Sequence, residues 1–361
     1  MRIPYSLILA VSAMAVTLVL TPLVIALARN VGAFDRPGPR RIHREPIATL
    51  GGIAMVAAVL GVAWMARALP GPAQLLDVHP LIGLTIAALP LFVLGIVDDM
   101  RGLPPWAKIA VQVAAGVILF QFGFGVGSIT NPFGSPIESG IWSLPLTVVW
   151  VVVVINAINL IDGMDGLAAG VVMIASMALW WVGRAHLDFY VMFVSALLIG
   201  ATIGFLRFNF PPAKVFMGDT GSQFLGLALA AVSLLENRKG TATVTLLFPL
   251  VAMAVPLADS LIAFLRRMVS GRPVFHADSE HIHHRLLRLG LSQRNAVLVL
   301  WFLAAYSGVM AVMLSNLPTG YATLLALVLA AGLFFAFQVL EFIDRRLGER
   351  QRPPAPDERD A

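Results

Sequence analysis

No cysteine occurs anywhere in the chain, so disulfides are excluded and nothing about redox compartment follows. Charge is scarce as well. Asp, Glu, Lys and Arg make up 12% of the 361 residues, against about a quarter in soluble domains. With 58% hydrophobic residues and a mean hydropathy of +0.85, this is membrane composition. An internal repeat is also lacking, which disfavours the inverted-repeat transporters. The net charge of +5 and pI near 10.1 invite a nucleic-acid reading. The basic residues are spread over segments that flank apolar runs, however. Membrane lipid headgroups and phosphate-bearing substrates are therefore the expected partners, and no nucleic acid.

What the chain does have is long apolar stretches. They predict an all-α integral membrane protein with about eleven transmembrane helices, each near the ~20 residues a crossing needs. The expected spans are 5–28, 48–68, 79–96, 106–124, 143–160, 164–182, 188–206, 220–235, 242–265, 294–315 and 319–343. The eighth is short and the fifth has a polar end. A cleaved signal peptide is the alternative for the first, but the apolar run from Tyr5 is too long for one and strongly basic sequence follows. Alternate loops hold 20 of the 25 Lys and Arg residues, including Arg29, Arg101, Lys108, Lys214 and Arg285. The positive-inside rule puts that side in the cytoplasm, with the N-terminus outside and the C-terminus inside. Residues 1–343 read as a single polytopic domain and 344–361 as a basic, Pro-containing cytoplasmic tail. An external loop over Ser128–Trp142 has the Asn, Pro and Gly of a small hairpin.

Four polar clusters fall on the cytoplasmic side. Asp98 and Asp99 end the third span, where the helix dipole disfavours anions. Taken alone the pair reads first as a solvated helix end. A metal ion, or a proton to be removed, would explain it, and paired carboxylates push one pKa upward. In NAINLIDGMDG, Asn156 and Asn159 are three apart, as are Asp162 and Asp165, so each pair is expected to share a helical face. Asp219, in FMGDTGS, lies near a helix N-terminus, where it can cap the helix or join a phosphate to a hard cation. His281, His283 and His284 lie in basic surroundings that suit phosphate contact better than zinc. Asp259, inside the ninth span, is expected to face the bundle interior. Carboxylates for Mg2+, glycines for close approach and cations for anions together suit phosphoryl transfer, and the long apolar flanks point to a phosphate-bearing substrate that is itself a lipid.

The segments DRPGPRRIHREP, GIVDDM, NAINLIDGMDGLAAG, KVFMGDTGS, PLADS and HIHHRL, in this order, resemble the polyprenyl-phosphate N-acetylhexosamine-1-phosphate transferases. The resemblance runs from the first expected span to the tenth. It implies a bacterial inner-membrane transferase whose active site lies on the cytoplasmic face. Such an enzyme moves N-acetylhexosamine 1-phosphate, GlcNAc-1-phosphate first of all, from a UDP-sugar to undecaprenyl phosphate and releases UMP. Mg2+ is required, with Mn2+ an alternative. The products start O-antigen, enterobacterial common antigen or teichoic-acid chains, which points to lipopolysaccharide or cell-wall biogenesis. By the same resemblance Asp219 is the leading metal ligand, Asp98 the base for the lipid phosphate, and Asp99 helps organise the site and the metal. Phe216 would stack on uracil, and Asn156, Asn159, Asp162 and Asp165 would meet the nucleotide-sugar. Lys108, Arg285, His43 and the three histidines 281, 283 and 284 would meet phosphates or sugar. A homodimer is implied by analogy alone. The related phospho-N-acetylmuramoyl-pentapeptide transferases are the competing branch, but they typically read PIHHH and PTMGG where this chain has HIHHR and ATLGG. A membrane transporter, the alternative of another class, would place ionisable groups at mid-membrane, where only Asp259 intrudes.

Overall fold

The computed structural model describes residues 3–35, 45–129, 131, 137–236, 251, 253–269 and 282–350. It is mostly helical, in agreement with the expected class. Six helices are long and apolar enough to cross a membrane. They are α1 (Ile3–Val31), α3 (His79–Arg101), α5 (Ser143–Ile161, preceded by the 3-10 turn Gly140–Trp142), α6 (Leu167–Ala185), α7 (Phe189–Asn209) and, late in the chain, α11 (Gln293–Leu314). Two further apolar helices, α2 (Gly52–Ala68) and α4 (Pro105–Gln121), have 17 residues each. That is short of the ~20 residues of a full crossing. The remaining helices are α8 (Gly218–Glu236), α9 (Ala254–Val269), α10 (Ile282–Arg288) and α12 (Thr319–Arg350). The last continues beyond residue 343, because charged helix formers carry it past the end of the apolar stretch. Residues 242–250 of the expected ninth span lie outside the described residues.

The short eighth span proves to be the centre of the bundle. Helix α8 packs against α2, α3, α5, α6 and α7, and from Phe224 to Leu235 its side chains are buried. Its low apolarity reflects a polar first turn that faces other helices and not lipid. Small residues allow the close approach. A Cβ on Gly95 of α3 would overlap Thr220, one on Gly52 of α2 would overlap Gly221, and one on Gly226 would lie 2.7 Å from the Ile155 Cα of α5. Where lipid supplies little drive for helices to associate, such packing and interhelical hydrogen bonds hold the bundle. One such bond runs from Trp150 Nε1 to Ser233 Oγ at 2.8 Å in the buried core.

Two small sheets complete the fold. Strand β1 (Phe34–Asp35) pairs antiparallel with β2 (Ile47–Ala48), with Phe34 opposite Ala48. Strands β3 (Ser128–Ile129) and β4 (Ile137–Glu138) form the hairpin expected in the loop before α5. Beyond β2 the chain docks on the segment that leads into α8. Ala48 bridges Val215 in parallel, Phe216 N–H donates to Ala48 O at 2.8 Å, and Gly51 N–H donates to Phe216 O at 2.9 Å. The loop before α2 and the FMGD segment are thus one backbone unit, although more than 160 residues separate them in sequence. Asp259 is 2% exposed, so it does face the bundle interior.

Candidate active site

Helix α3 ends at Arg101, and Gly102, at φ 70°, turns the chain out of it. Asp98 closes this end: its Oδ1 accepts from Leu103 N–H at 2.7 Å. Its Oδ2 accepts from Lys108 Nζ at 2.6 Å, across the short elbow into α4. The same ammonium reaches Asp219 Oδ2 at 2.7 Å, so Lys108 bridges the ends of α3 and α8. Asp219 is held further by two amides. Asn159 Nδ2 on α5 donates to Oδ1 at 3.0 Å, and Gln223 Nε2, one turn along α8, donates to Oδ2 at 3.0 Å.

Asp99 faces a different way. Its Oδ1 accepts from the backbone N–H of Asp219 at 2.7 Å, and its Oδ2 from Thr220 N–H at 3.2 Å and Thr220 Oγ1 at 2.7 Å. A carboxylate from α3 therefore caps α8, and Asp219 does not cap its own helix. Gly218 makes room for this: at φ 66° it occupies the left-handed region, and a Cβ there would overlap the Asp99 carboxylate. Asp98, Asp99 and Asp219 each offer an oxygen to a group whose members lie within 4.8 Å of one another. All three donors are hard oxygens, the chemistry that Mg2+ or Mn2+ prefers. The residues present fit such an ion.

The Asn156–Gly166 stretch divides in two. Asn156 and Asn159 do share a face of α5: Asn156 Nδ2 donates to Gln112 Oε1 at 2.6 Å, while Asn159 turns toward Asp219. The aspartates do not share a helical face, because α5 stops at Ile161. Asp162 and Asp165 sit in the turn that Gly166, at φ 73°, closes before α6. Burial pushes the Asp162 carboxyl well above the usual carboxylate range, and the charges of Asp219, Asp99 and Asp165 push the same way. Asp165 turns to the other side of the FMGD segment, where its Oδ2 accepts from Ala213 N–H at 2.9 Å. There it lines a cavity of about 640 Å3 together with Arg29, Glu45, Ala48 and Lys214.

Several contributors were not singled out from sequence. Asn209, 2% exposed at the end of α7, accepts from Gly166 N–H at 2.9 Å and donates to Val215 O at 2.8 Å, clamping the two motif loops together. A buried Asn ending an apolar helix was the available signal. Gln223 and Thr220 gave no signal beyond their place in the turn after Asp219. Arg285 is 5% exposed in α10, so it is buried and not displayed on a loop. His43 and His281 lie outside the described residues, as do the side chains of His283 and His284.

Residues 81–237 match the family model described as Glycosyl transferase family 4. That stretch holds the two α3 aspartates, Lys108, the Asn156–Asp165 group and Asp219. Three relatives extend the likeness along most of the chain. A Bacillus subtilis protein named a "probable undecaprenyl-phosphate N-acetylglucosaminyl 1-phosphate transferase" is 35% identical over 301 residues, 83% of this chain and 82% of the relative. The chain belongs to the polyprenyl-phosphate N-acetylhexosamine-1-phosphate transferases. A decaprenyl-phosphate N-acetylglucosaminephosphotransferase of Mycobacterium leprae is 34% identical over 349 residues, 89% of this chain and 87% of that one. An undecaprenyl-phosphate alpha-N-acetylglucosaminyl 1-phosphate transferase of Escherichia coli K12 is 30% identical over 288 residues, covering 77% and 75%. As a member of this transferase family, the protein is an enzyme.

Proposed function

We propose that this transferase moves GlcNAc 1-phosphate from UDP-GlcNAc to undecaprenyl phosphate, releases UMP and so starts a cell-envelope polysaccharide. The observation that carries the reading is the meeting of Asp98, Asp99 and Asp219 with Lys108 and Asn159, drawn from four helices onto one end of the bundle. Relatives named for GlcNAc-phosphate transfer to a polyprenyl phosphate support the transferred group and the lipid acceptor. Under this reading that end of the bundle faces the cytoplasm of a bacterial inner membrane. The N-terminus is outside, the C-terminus inside, and about eleven spans cross the bilayer.

The reaction exchanges one phosphoanhydride for another. An oxygen of the lipid phosphate attacks the β-phosphorus of the donor, the bond from that phosphorus to the bridging oxygen breaks, and UMP leaves. The sugar's anomeric bond stays intact. Asp98, at the elbow beside Lys108, takes any proton carried by the lipid phosphate. Lys108 presents its ammonium to the phosphate oxygens, and Asn159 and Gln223 hold the Asp219 carboxylate in a fixed rotamer. Mg2+, or Mn2+ in its place, would be held by Asp219 with Asp98 beside it and would neutralise charge on the pyrophosphate oxygens. The cavity beside Asp165 and Lys214 takes the nucleotide-sugar, and Phe216, between Lys214 and Asp219 in sequence, is the surface on which uracil stacks. Detergent-purified protein given undecaprenyl phosphate and Mg2+ is expected to release UMP from UDP-GlcNAc. Turnover with UDP-MurNAc-pentapeptide alone would move it to the other branch, and no UMP from either donor would refute the reading.

A further inference from the structure

Asp98 and Asp99 are neighbours in sequence, but consecutive helical residues point about 100° apart. Asp98 therefore meets the substrate-facing Lys108, while Asp99 is turned into α8. Both Asp99 oxygens are engaged there by three donors from a single turn, namely Asp219 N–H, Thr220 N–H and the Thr220 hydroxyl. One of these is the amide of the residue whose side chain forms the centre of the carboxylate group. An anion placed against the free N–H groups of a helix start is favourable, and here it also fixes where that start lies. The space beside Gly218 where a Cβ would stand is occupied by this carboxylate.

We propose that Asp99 is a positioning residue: it acts through the first turn of α8 to place Asp219, and is neither the proton acceptor nor a metal ligand. This rests on the reading of the site as a sugar-phosphate transferase. The division of labour between the adjacent aspartates follows: Asp98 serves the substrate and Asp99 the scaffold.

A double-mutant cycle on the full-length, detergent-purified protein tests it, using Asp99→Asn, Thr220→Val and the pair. Asparagine keeps one acceptor and loses the other, and valine removes only the hydroxyl. Asp99→Asn is expected to lower kcat on the order of 10- to 100-fold, the scale of a small misplacement, with the donor KM little changed. Mn2+ binding, followed by the EPR signal of the free ion, is expected to weaken by about tenfold and to be retained, the lower end of what losing a residue that orients a ligand costs. Thr220→Val should lower kcat less, and the double variant should be no worse than Asp99→Asn alone, because contacting residues are not additive. The same non-additivity should appear in the unfolding midpoints, which read the Asp99–Thr220 coupling whichever donor the enzyme uses. Loss of Mn2+ binding in Asp99→Asn beside an inert Thr220→Val would make Asp99 a ligand and overturn the proposal. So would additive effects on both kcat and unfolding midpoint.

Discussion

Two regions on either side of the FMGD segment gather charge from distant parts of the chain, and they do it differently. Around Asp219 the groups are cross-linked: one ammonium, two amides and a capping carboxylate fix four helix ends to each other. Around Asp165 the charges of Arg29, Glu45 and Lys214 border an open space of about 640 Å3. A fixed polar array suits chemistry, where groups already aimed at developing charge need no reorganisation. A roomy mixed-charge cavity suits recognition of a bulky ligand. Under the proposed function the difference would separate placing the reacting phosphates from holding the rest of the donor, with Phe216 between the two in sequence.

The comparison breaks most sharply at Asp219. Asp219→Asn should cost on the order of 1000-fold or more in kcat, as loss of a central electrostatic group does, while expression and the unfolding midpoint stay near wild type. Near-normal turnover would remove the carboxylate region from the chemistry. Phe216→Ala should weaken donor binding by about 1–3 kcal/mol through lost stacking, read as a rise in KM or in the UMP inhibition constant. Its backbone ties to Ala48 and Gly51 survive the change. On the cavity side, Lys214→Gln should raise the donor KM by roughly tenfold, the worth of one charge-assisted hydrogen bond, with kcat held. A fall in kcat at constant KM would instead join the cavity to the chemical step.

The smallest effect expected is on stability. The Asp162 carboxyl is raised in the folded protein, so folding favours its neutral form. That contribution is full below the unfolded value of about 4 and is lost as pH rises through the folded value. Asp162→Asn should therefore unfold at a higher temperature than wild type at neutral pH, with the gap closing toward pH 4. Midpoints measured across that range check it, and a gap that widens on acidification would reverse the sign.

Much of this was legible in the sequence. Long apolar runs announced the helices, and the polar clusters between them named Asp98, Asp99, Asn159 and Asp219 before any geometry was seen. Hydropathy marked α8 as a short span and could not show that it is the centre of the bundle, because an average along a segment does not reveal how thoroughly it is buried. Spacing of three placed Asn156 and Asn159 correctly, since α5 is still helical there. It failed for Asp162 and Asp165, because the helix ends one residue earlier and Gly166 takes a left-handed turn. Which of two adjacent aspartates faces α8 depends on the rotation of α3 against its neighbour. No one-dimensional pattern carries that.

The most direct test of the central claim counts products. Purified protein is given UDP-GlcNAc labelled in the sugar, undecaprenyl phosphate and Mg2+, and both the nucleotide released and the label reaching lipid are measured. The account predicts one UMP per lipid-linked GlcNAc, no UDP, and neither product from Asp219→Asn. Lipid label accompanied by UDP would mean that the sugar moves without its phosphate, and would contradict it.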